Sequence, residues 1–380
     1  MLNELPPLAL YIHIPWCIQK CPYCDFNSHA RAETLPEDRY IDALLNDLSQ
    51  QISFVQNRSL VSIFFGGGTP SLFSAKSFDR LLTEIEKLIP FSFNIEISLE
   101  ANPSTFEINK FSDYKKAGIN RLSIGIQSFQ TDKLVALGRV HSSKEALIAI
   151  DNAHEAGFDN FNIDLMHGLP NQSVSDALAD IATAINYAPS HISWYQLTLE
   201  PNTIFWRYPP NLPSDEALWE IQAAGQDLLE KHQYKQYEVS AYAQKDKQAR
   251  HNINYWSFGD FIGIGAGAHG KITFDDGNII RLQNVRQPES YLDENSPFFA
   301  QRKAIAINEL PFEFLMNALR LTQGVPRELF FQRTGLPLKK ISATLKDACN
   351  KGLLADSSKQ LVATRQGQLF LNDLLQFFLP

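Results

Sequence analysis

Three of the chain's four cysteines, Cys17, Cys21 and Cys24, fall within the eight residues CIQKCPYC, directly after the β-branched and aromatic run LALYIHI (8–14). The spacing is CxxxCxxC. Three thiolates this close can hold three corners of an iron–sulfur cube and leave one iron without a protein ligand. An open metal position is where a substrate or cofactor can bind. The competing reading is zinc, completed by His13 or His29, or thiols that are simply buried. Zinc sites usually show a second ligand pair at CxxC or HxxxH spacing, and none follows, so spacing and strand context favour the cube. A disulfide scaffold is excluded, because a chain of 380 residues can bury an ample core without staples. A reducing compartment follows. Cys349, in a helical pattern with Leu345 and Ala348, reads as a small buried apolar residue.

Short strand-like runs alternate with amphipathic ones in the rhythm of repeated βα units around a parallel sheet. Six strands are expected, at 8–14, 60–65, 94–99, 121–126, 160–165 and 191–199. Thr34 with Glu37, and Ser142 with Glu145, have the spacing of capping boxes, and Gly157 stands where the second helix should stop. Six units give a partial barrel. The rhythm breaks after Glu200 in a proline-rich stretch, a helix is expected from about Ser214 to His232, and short strand-like runs with turns follow to Leu282. From Asn308 the pattern is helical, with one short β-like stretch, as in a small winged-helix-like domain. The expected organisation is a barrel over 1–200, an accessory α+β region over 201–300, and a C-terminal helical domain over 301–380.

On that frame the distinctive residues collect at the carboxyl ends of parallel strands, where barrel folds gather catalytic and cofactor groups. The cysteines follow strand one, Gly66, Gly67, Gly68 and Thr69 follow strand two, Glu100 ends strand three, Gln127 ends strand four, and Asp164 lies near the end of strand five. Arg139 falls only loosely after strand four. The glycines let backbone approach a ligand that side chains would exclude. Glu100, Gln127, Arg139 and Asp164 supply what a zwitterionic nucleoside needs, carboxylates for an ammonium or ribose hydroxyls and a guanidinium for a carboxylate. Each also has a bland reading as a satisfied polar group.

Asp and Glu outnumber Lys and Arg by 42 to 34, for a net charge of -8 and no basic block. No nucleic-acid partner is expected. No run reaches the roughly 18 apolar residues of a bilayer-spanning helix, and no basic segment precedes the first apolar run. The expected location is cytoplasmic, with membrane contact only through partners.

The segments YIHIPWCIQKCPYCDF, FGGGTPS, EANP, RLSIGIQSF, NIDLMHGLP and GIGAGAHG resemble the radical S-adenosylmethionine superfamily. Within it they resemble the branch containing oxygen-independent coproporphyrinogen dehydrogenase and the haem chaperones. The resemblance spans essentially the whole chain. It implies an α/β fold, a partial (β/α)6 barrel, with Cys17, Cys21 and Cys24 holding a [4Fe-4S] cluster. It also places Tyr11, Gly67, Gly68, Thr69, Glu100, Gln127, Arg139 and Asp164 around S-adenosylmethionine. In that superfamily an electron from the cluster cleaves the sulfonium to give a 5′-deoxyadenosyl radical.

Two departures divide the branch. The decarboxylating enzyme has a fourth cysteine two residues beyond the third, where this chain has Phe26, and a longer segment ahead of the first strand. Both point to the haem chaperone type, as does HNINYW (251–256), which fits an HNxxYW motif whose histidine, His251, is implicated in haem binding. Imidazole is a good axial ligand for haem iron, and Tyr255 and Trp256 could flank a porphyrin. The bland alternative is a histidine in a surface loop, anchored by the aromatics. The function implied is a carrier that binds haem, a [4Fe-4S] cluster and S-adenosylmethionine and transfers haem to haem-dependent respiratory proteins. The alternatives are anaerobic oxidative decarboxylation of coproporphyrinogen III and, disfavoured by the acidic balance, radical modification of RNA.

Overall fold

Alternating residues on the six expected strands divide cleanly between two faces of a single sheet. The computed structural model describes residues 4–30, 34–104 and 110–380. Its main sheet has twelve strands: β1 Leu8–Ile14, β2 Leu60–Gly67, β3 Phe91–Ala101, β4 Arg121–Gln127, β5 Phe161–His167, β6 His191–Gln196, β7 Lys235–Glu238, β8 Ala241–Ala243, β9 Asp260–Ile264, β10 His269–Thr273, β11 Ile279–Asn284 and β12 Phe299–Ala304. They lie in the order β12-β11-β10-β9-β1-β2-β3-β4-β5-β6-β8-β7. From β9 through β6 the pairing is parallel, and the flanking strands are antiparallel. The partial barrel thus has a seventh parallel strand, β9, beside β1. The βα rhythm does not reveal it, because hairpins rather than a helix follow it.

On β3, Ile97, Leu99 and Ala101 join the large apolar core, whereas Glu96, Ser98 and Glu100 turn to the other face. The same alternation puts Leu122, Ile124 and Ile126 of β4 in that core. Helices cover the apolar face: Phe78 of the helix Ala75–Leu88 meets Phe65 edge-on, ring centroids 4.9 Å apart. A pleated strand exposes alternate residues to opposite faces, so an apolar outside leaves a polar lumen. The helix Ser143–Glu155 carries the expected capping box of Ser142 and Glu145 and is followed by Gly157 at φ +78°. The Thr34–Glu37 box does not form. The helix Glu37–Gln50 starts after Pro36 without a side-chain cap, and the Glu37 carboxylate instead accepts hydrogen bonds from the Ser74 amide and hydroxyl.

A buried charge cluster secures β9. Asp260 accepts from Arg58 Nη1 at 2.7 Å, Lys271 Nζ at 2.7 Å, and the Thr273 amide and hydroxyl at 2.9 and 2.8 Å. Removing one member of such a cluster strands buried charge. Lys271→Met should therefore lower unfolding stability by about 3 kcal/mol in a denaturant titration. An unchanged midpoint would show that Arg58 alone balances Asp260.

The C-terminal part forms a second apolar core around Phe314, Leu315, Phe330, Leu345 and Leu374. Its helices include Leu310–Ala318, Arg327–Thr334 and Ser342–Asn350, with a two-residue pairing of Val325–Pro326 and Gln360–Leu361. Cys349 packs against this core. Among the described residues, no helix is long and apolar enough to cross a membrane.

Candidate functional site

The carboxyl ends of β2 to β6 and the cysteine loop enclose a cavity of about 400 Å³. Its walls carry Cys17, Cys21 and Cys24, Gly67 to Thr69, and the side chains of Glu100, Gln127, Arg139 and Asp164. All three cysteines are free thiols. Burial pushes the Cys17 thiol up to about 11, against a lowering hydrogen bond with Thr69. Cys24 Sγ lies 3.6 Å from Ser28 Oγ, and the Arg139 guanidinium reaches Cys21 Sγ at 3.6 Å. Among the described residues, no three His, Cys, Asp or Glu side chains converge on a point where one metal ion could sit. A cube places its thiolates on separate irons.

The glycine run is used by its backbone. Gly67 has φ +116°, and a Cβ on Gly68 would lie 2.6 Å from the Trp16 carbonyl oxygen. The Gly68 and Thr69 amides bond to the carbonyls of Ile14 and Trp16, which ties the glycine turn to the strand leading into the cysteines. The Gly67 amide donates to Glu100 Oε2 at 3.1 Å. Burial, helped by Asp164 across the cavity, raises the Glu100 carboxyl to about 8. Burial likewise raises Asp164, against hydrogen bonds from Asn162, Ser123 and Ser193. Two carboxyls whose ionisation burial opposes suit a cationic ligand, whose charge would favour their ionised forms.

Arg139 reaches back into the cavity from beyond the helix Thr131–Ala136. Its Nη2 donates to the Gly125 carbonyl at 2.6 Å and to Asn102 Oδ1 at 2.7 Å, while its buried Nε has no hydrogen-bond partner among the described residues. The guanidinium as a whole lines the cavity, where it can meet a ligand carboxylate. Gln127, at φ +71°, accepts from Tyr195 OH at 2.6 Å. Tyr195, Ser123, Ser193, Asn102 and Tyr23 also line the cavity and were not among the sequence candidates. Ser123 and Ser193 could have been found, since each alternates with apolar residues on its strand.

Residues 11–184 match the Radical SAM superfamily, and residues 307–370 match the HemN C-terminal domain. The chain is 50% identical over 382 residues to "Heme chaperone HemW" of Haemophilus influenzae, covering 100% of this chain and 99% of the relative. It belongs to the HemW family. The HemW protein of Escherichia coli is 49% identical, with 99% of both chains covered, and that of Bacillus subtilis is 35% identical over 98% of this chain and 99% of the relative. The fold is that of the solved radical SAM enzyme coproporphyrinogen III oxidase (HemN) from Escherichia coli, with a TM-score of 0.82 at 22% identity, covering 98% of this chain and 90% of that one. Membership of the radical SAM superfamily brings a [4Fe-4S] cluster and S-adenosylmethionine with it. The free thiols, the two buried carboxyls and the Arg139 guanidinium in the cavity wall fit those two groups.

Two candidates of this HemW-family chain stand outside the cysteine cavity. Tyr11 lines a neighbouring, largely aromatic cavity of about 640 Å³ that shares Phe26, Gly67 and Glu100 with the first. Its hydroxyl donates to His13 Nδ1 at 2.8 Å. His251 lines neither. It is buried on a helix, Arg250–Trp256, rather than in a surface loop. Its Nδ1 lies 3.1 Å from Glu96 Oε1, and its ring packs 4.1 Å from that of Phe64, which forms part of the aromatic cavity's wall. Burial would raise Glu96, but His251, Arg121 and the Arg250 amide hold it down at about 2. Burial keeps His251 below the usual imidazole value despite Glu96. At neutral pH the pair is a neutral imidazole donating to a carboxylate.

Proposed function

We propose that this protein is a haem chaperone built on a radical SAM centre, which binds haem and passes it to haem-dependent respiratory proteins in the cytoplasm. The observation that carries the reading is the aromatic cavity beside the cysteines, in a chain matching relatives named heme chaperones from end to end. Aromatic faces suit a porphyrin plane.

In this reading Cys17, Cys21 and Cys24 hold the cluster. Glu100 and Asp164 face the ammonium or ribose hydroxyls of S-adenosylmethionine, Arg139 faces its carboxylate, and Gly67, Gly68, Thr69 and Gln127 shape the pocket. When bound, the two groups supply one-electron reduction of a sulfonium. Phe26, 60% exposed on the rim shared by both cavities, stands where the decarboxylating enzyme has a further thiol. His251 fixes Phe64 and, through its helix, Tyr255, both in the wall against which haem lies.

Haemin titration followed by mixing with an apo-haem protein tests the function. Stoichiometric binding and transfer are expected, and no protoporphyrinogen should form on anaerobic incubation with coproporphyrinogen III, S-adenosylmethionine and a reductant. Turnover to protoporphyrinogen would defeat the carrier reading. His251→Ala should weaken haemin binding by about tenfold, the scale of one lost packing contact, without moving the Soret band. Wild-type affinity in that variant would remove His251 from the haem site.

A further inference from the structure

We infer that Tyr195 is a positioning residue of the cysteine cavity: its hydroxyl holds the Gln127 carboxamide with the nitrogen outward, so that Gln127 donates a hydrogen bond to an acceptor oxygen of S-adenosylmethionine. The inference rests on the reading of that cavity as the S-adenosylmethionine site, and it gives a role to a residue outside the expected set.

The end of β4 is shaped to turn one polar side chain inward. Gly125 pairs with Asp164 of β5 and Gln127 with the very next residue, Leu165, so Ile126 is an extra residue on β4 and the strand bulges there. Bulges beside functional sites re-aim side chains. Gln127 follows at φ +71°, a left-handed backbone that is unfavourable for a residue with a side chain. The carbonyls at the bulge are met by the segment returning from the helix Thr131–Ala136. Arg139 Nη2 donates to the Gly125 carbonyl at 2.6 Å, and His141 Nε2 donates to that of Ile126 at 3.1 Å. A strained backbone held by its surroundings at a polar strand end points to a functional position.

The side chain is fixed separately. On β6, Ile192 and Trp194 enter the apolar core, whereas Ser193 and Tyr195 line the cavity. The Tyr195 hydroxyl donates to Gln127 Oε1 at 2.6 Å. Burial lifts this phenol well above its usual value, so it keeps its proton and stays a donor at neutral pH. With its oxygen drawn to Tyr195, the carboxamide turns its nitrogen the other way. That nitrogen lies over Gly125, 3.1 Å from where a Cβ would stand, and Arg139 Nη2 lies 3.6 Å from the same point. Gly125, Gln127 and Arg139 all line the cavity, and Gln127 Nε2 has no hydrogen-bond partner among the described residues. Two N–H donors from β4 and from the returning segment thus stand side by side. Without the hydroxyl, either end of the carboxamide fits the same space, since the two differ little in shape.

The test is calorimetric titration of cluster-loaded wild type, Tyr195→Phe, Gln127→Met and the double variant. The probes are S-adenosylmethionine and 5′-methylthioadenosine, which lacks the amino-acid portion. Tyr195→Phe should weaken S-adenosylmethionine binding by about fivefold and Gln127→Met by about tenfold. The double variant should bind like Gln127→Met alone, because Tyr195 acts only through Gln127. A loss that extends to 5′-methylthioadenosine puts the acceptor oxygen on the ribose, and a loss confined to S-adenosylmethionine puts it on the carboxylate; either agrees with the inference. Additive losses in the double variant would overturn it, since Tyr195 would then touch the ligand itself or support the fold at large. Wild-type affinity in Tyr195→Phe or in Gln127→Met would overturn it as well. If the wild type binds no S-adenosylmethionine, the reading of the cavity fails first and the inference with it.

Discussion

Replacing Cys17 with serine should take the iron content after anaerobic reconstitution from about four atoms per chain to background, with matching loss of acid-labile sulfide. The expectation follows from how few ligands the site offers. Only Cys17, Cys21 and Cys24 bring thiols to the cavity, because Cys349 belongs to the C-terminal core. A cube that already has one iron without a protein ligand cannot spare another. Burial opposes ionisation of the Cys17 thiol, and a bound metal would hold it as thiolate. Cys21→Ser and Cys24→Ser should behave alike. Wild-type iron and sulfide in any of the three would defeat the ligand assignment, and zinc that co-purifies and resists exchange would defeat the metal assignment.

The second large effect is expected at Glu100. Its carboxyl ordinarily titrates near 4.5 and is raised in the folded chain to about 8. A group whose folded value is raised contributes stability that is complete below its unfolded value and is lost as pH climbs through the folded one. The ligand-free protein should therefore lose stability between about pH 4.5 and pH 8, by a few kcal/mol attributable to this carboxyl. Glu100→Gln keeps the neutral shape and abolishes that slope, so above pH 8 the ligand-free variant should be more stable than wild type by about 3 kcal/mol. The same change should weaken S-adenosylmethionine binding by about 10- to 100-fold, because an amide cannot balance an ammonium. Thermal unfolding across pH and calorimetric titration measure the two halves. An identical pH slope in both proteins would show that Glu100 does not carry the titration.

The parallel strands were legible because two periods superimpose along them. Leu122, Ile124 and Ile126 feed the core while Arg121, Ser123 and Gln127 face the lumen, and that alternation can be read directly from RLSIGIQ. The glycine run and Glu100 stand where strand ends predict, because a parallel sheet fixes which end of each strand meets its neighbours. Arg139 was only loosely placed, since its role depends on a return from the helix Thr131–Ala136 that no local pattern encodes. The Thr34–Glu37 box failed for a similar reason. Ser74, 37 residues further on, takes the Glu37 carboxylate that local spacing would give to the helix start.

HNINYW carries no helix signal of its own. Seven residues, Arg250–Trp256, are helical without a side-chain cap because Glu96 collects the amides of Arg250 and His251 and the imidazole together. The aromatic cavity was invisible for the same reason on a larger scale. Tyr11, Phe64, Tyr255 and Phe261 come from separate stretches of chain, and only the pairing of β9 with β1 brings them into one wall.

That short helix also decides which end of the barrel is open for traffic. Asn252 Nδ2 donates to Tyr237 OH, which is bonded to His191 Nε2, while His191 Nδ1 meets Asn162, and Asn162 donates to Asp164. With Glu96, midway along β3, and His251 beside it, this run of bonds fills the lumen near the amino-terminal ends of β5 and β6. Lifting the helix would strand a whole row of buried polar groups at once, each at a cost of about 1–3 kcal/mol. Among the described residues that end of the barrel is filled by paired polar groups, and both cavities lie toward the other end, beside the cysteine loop.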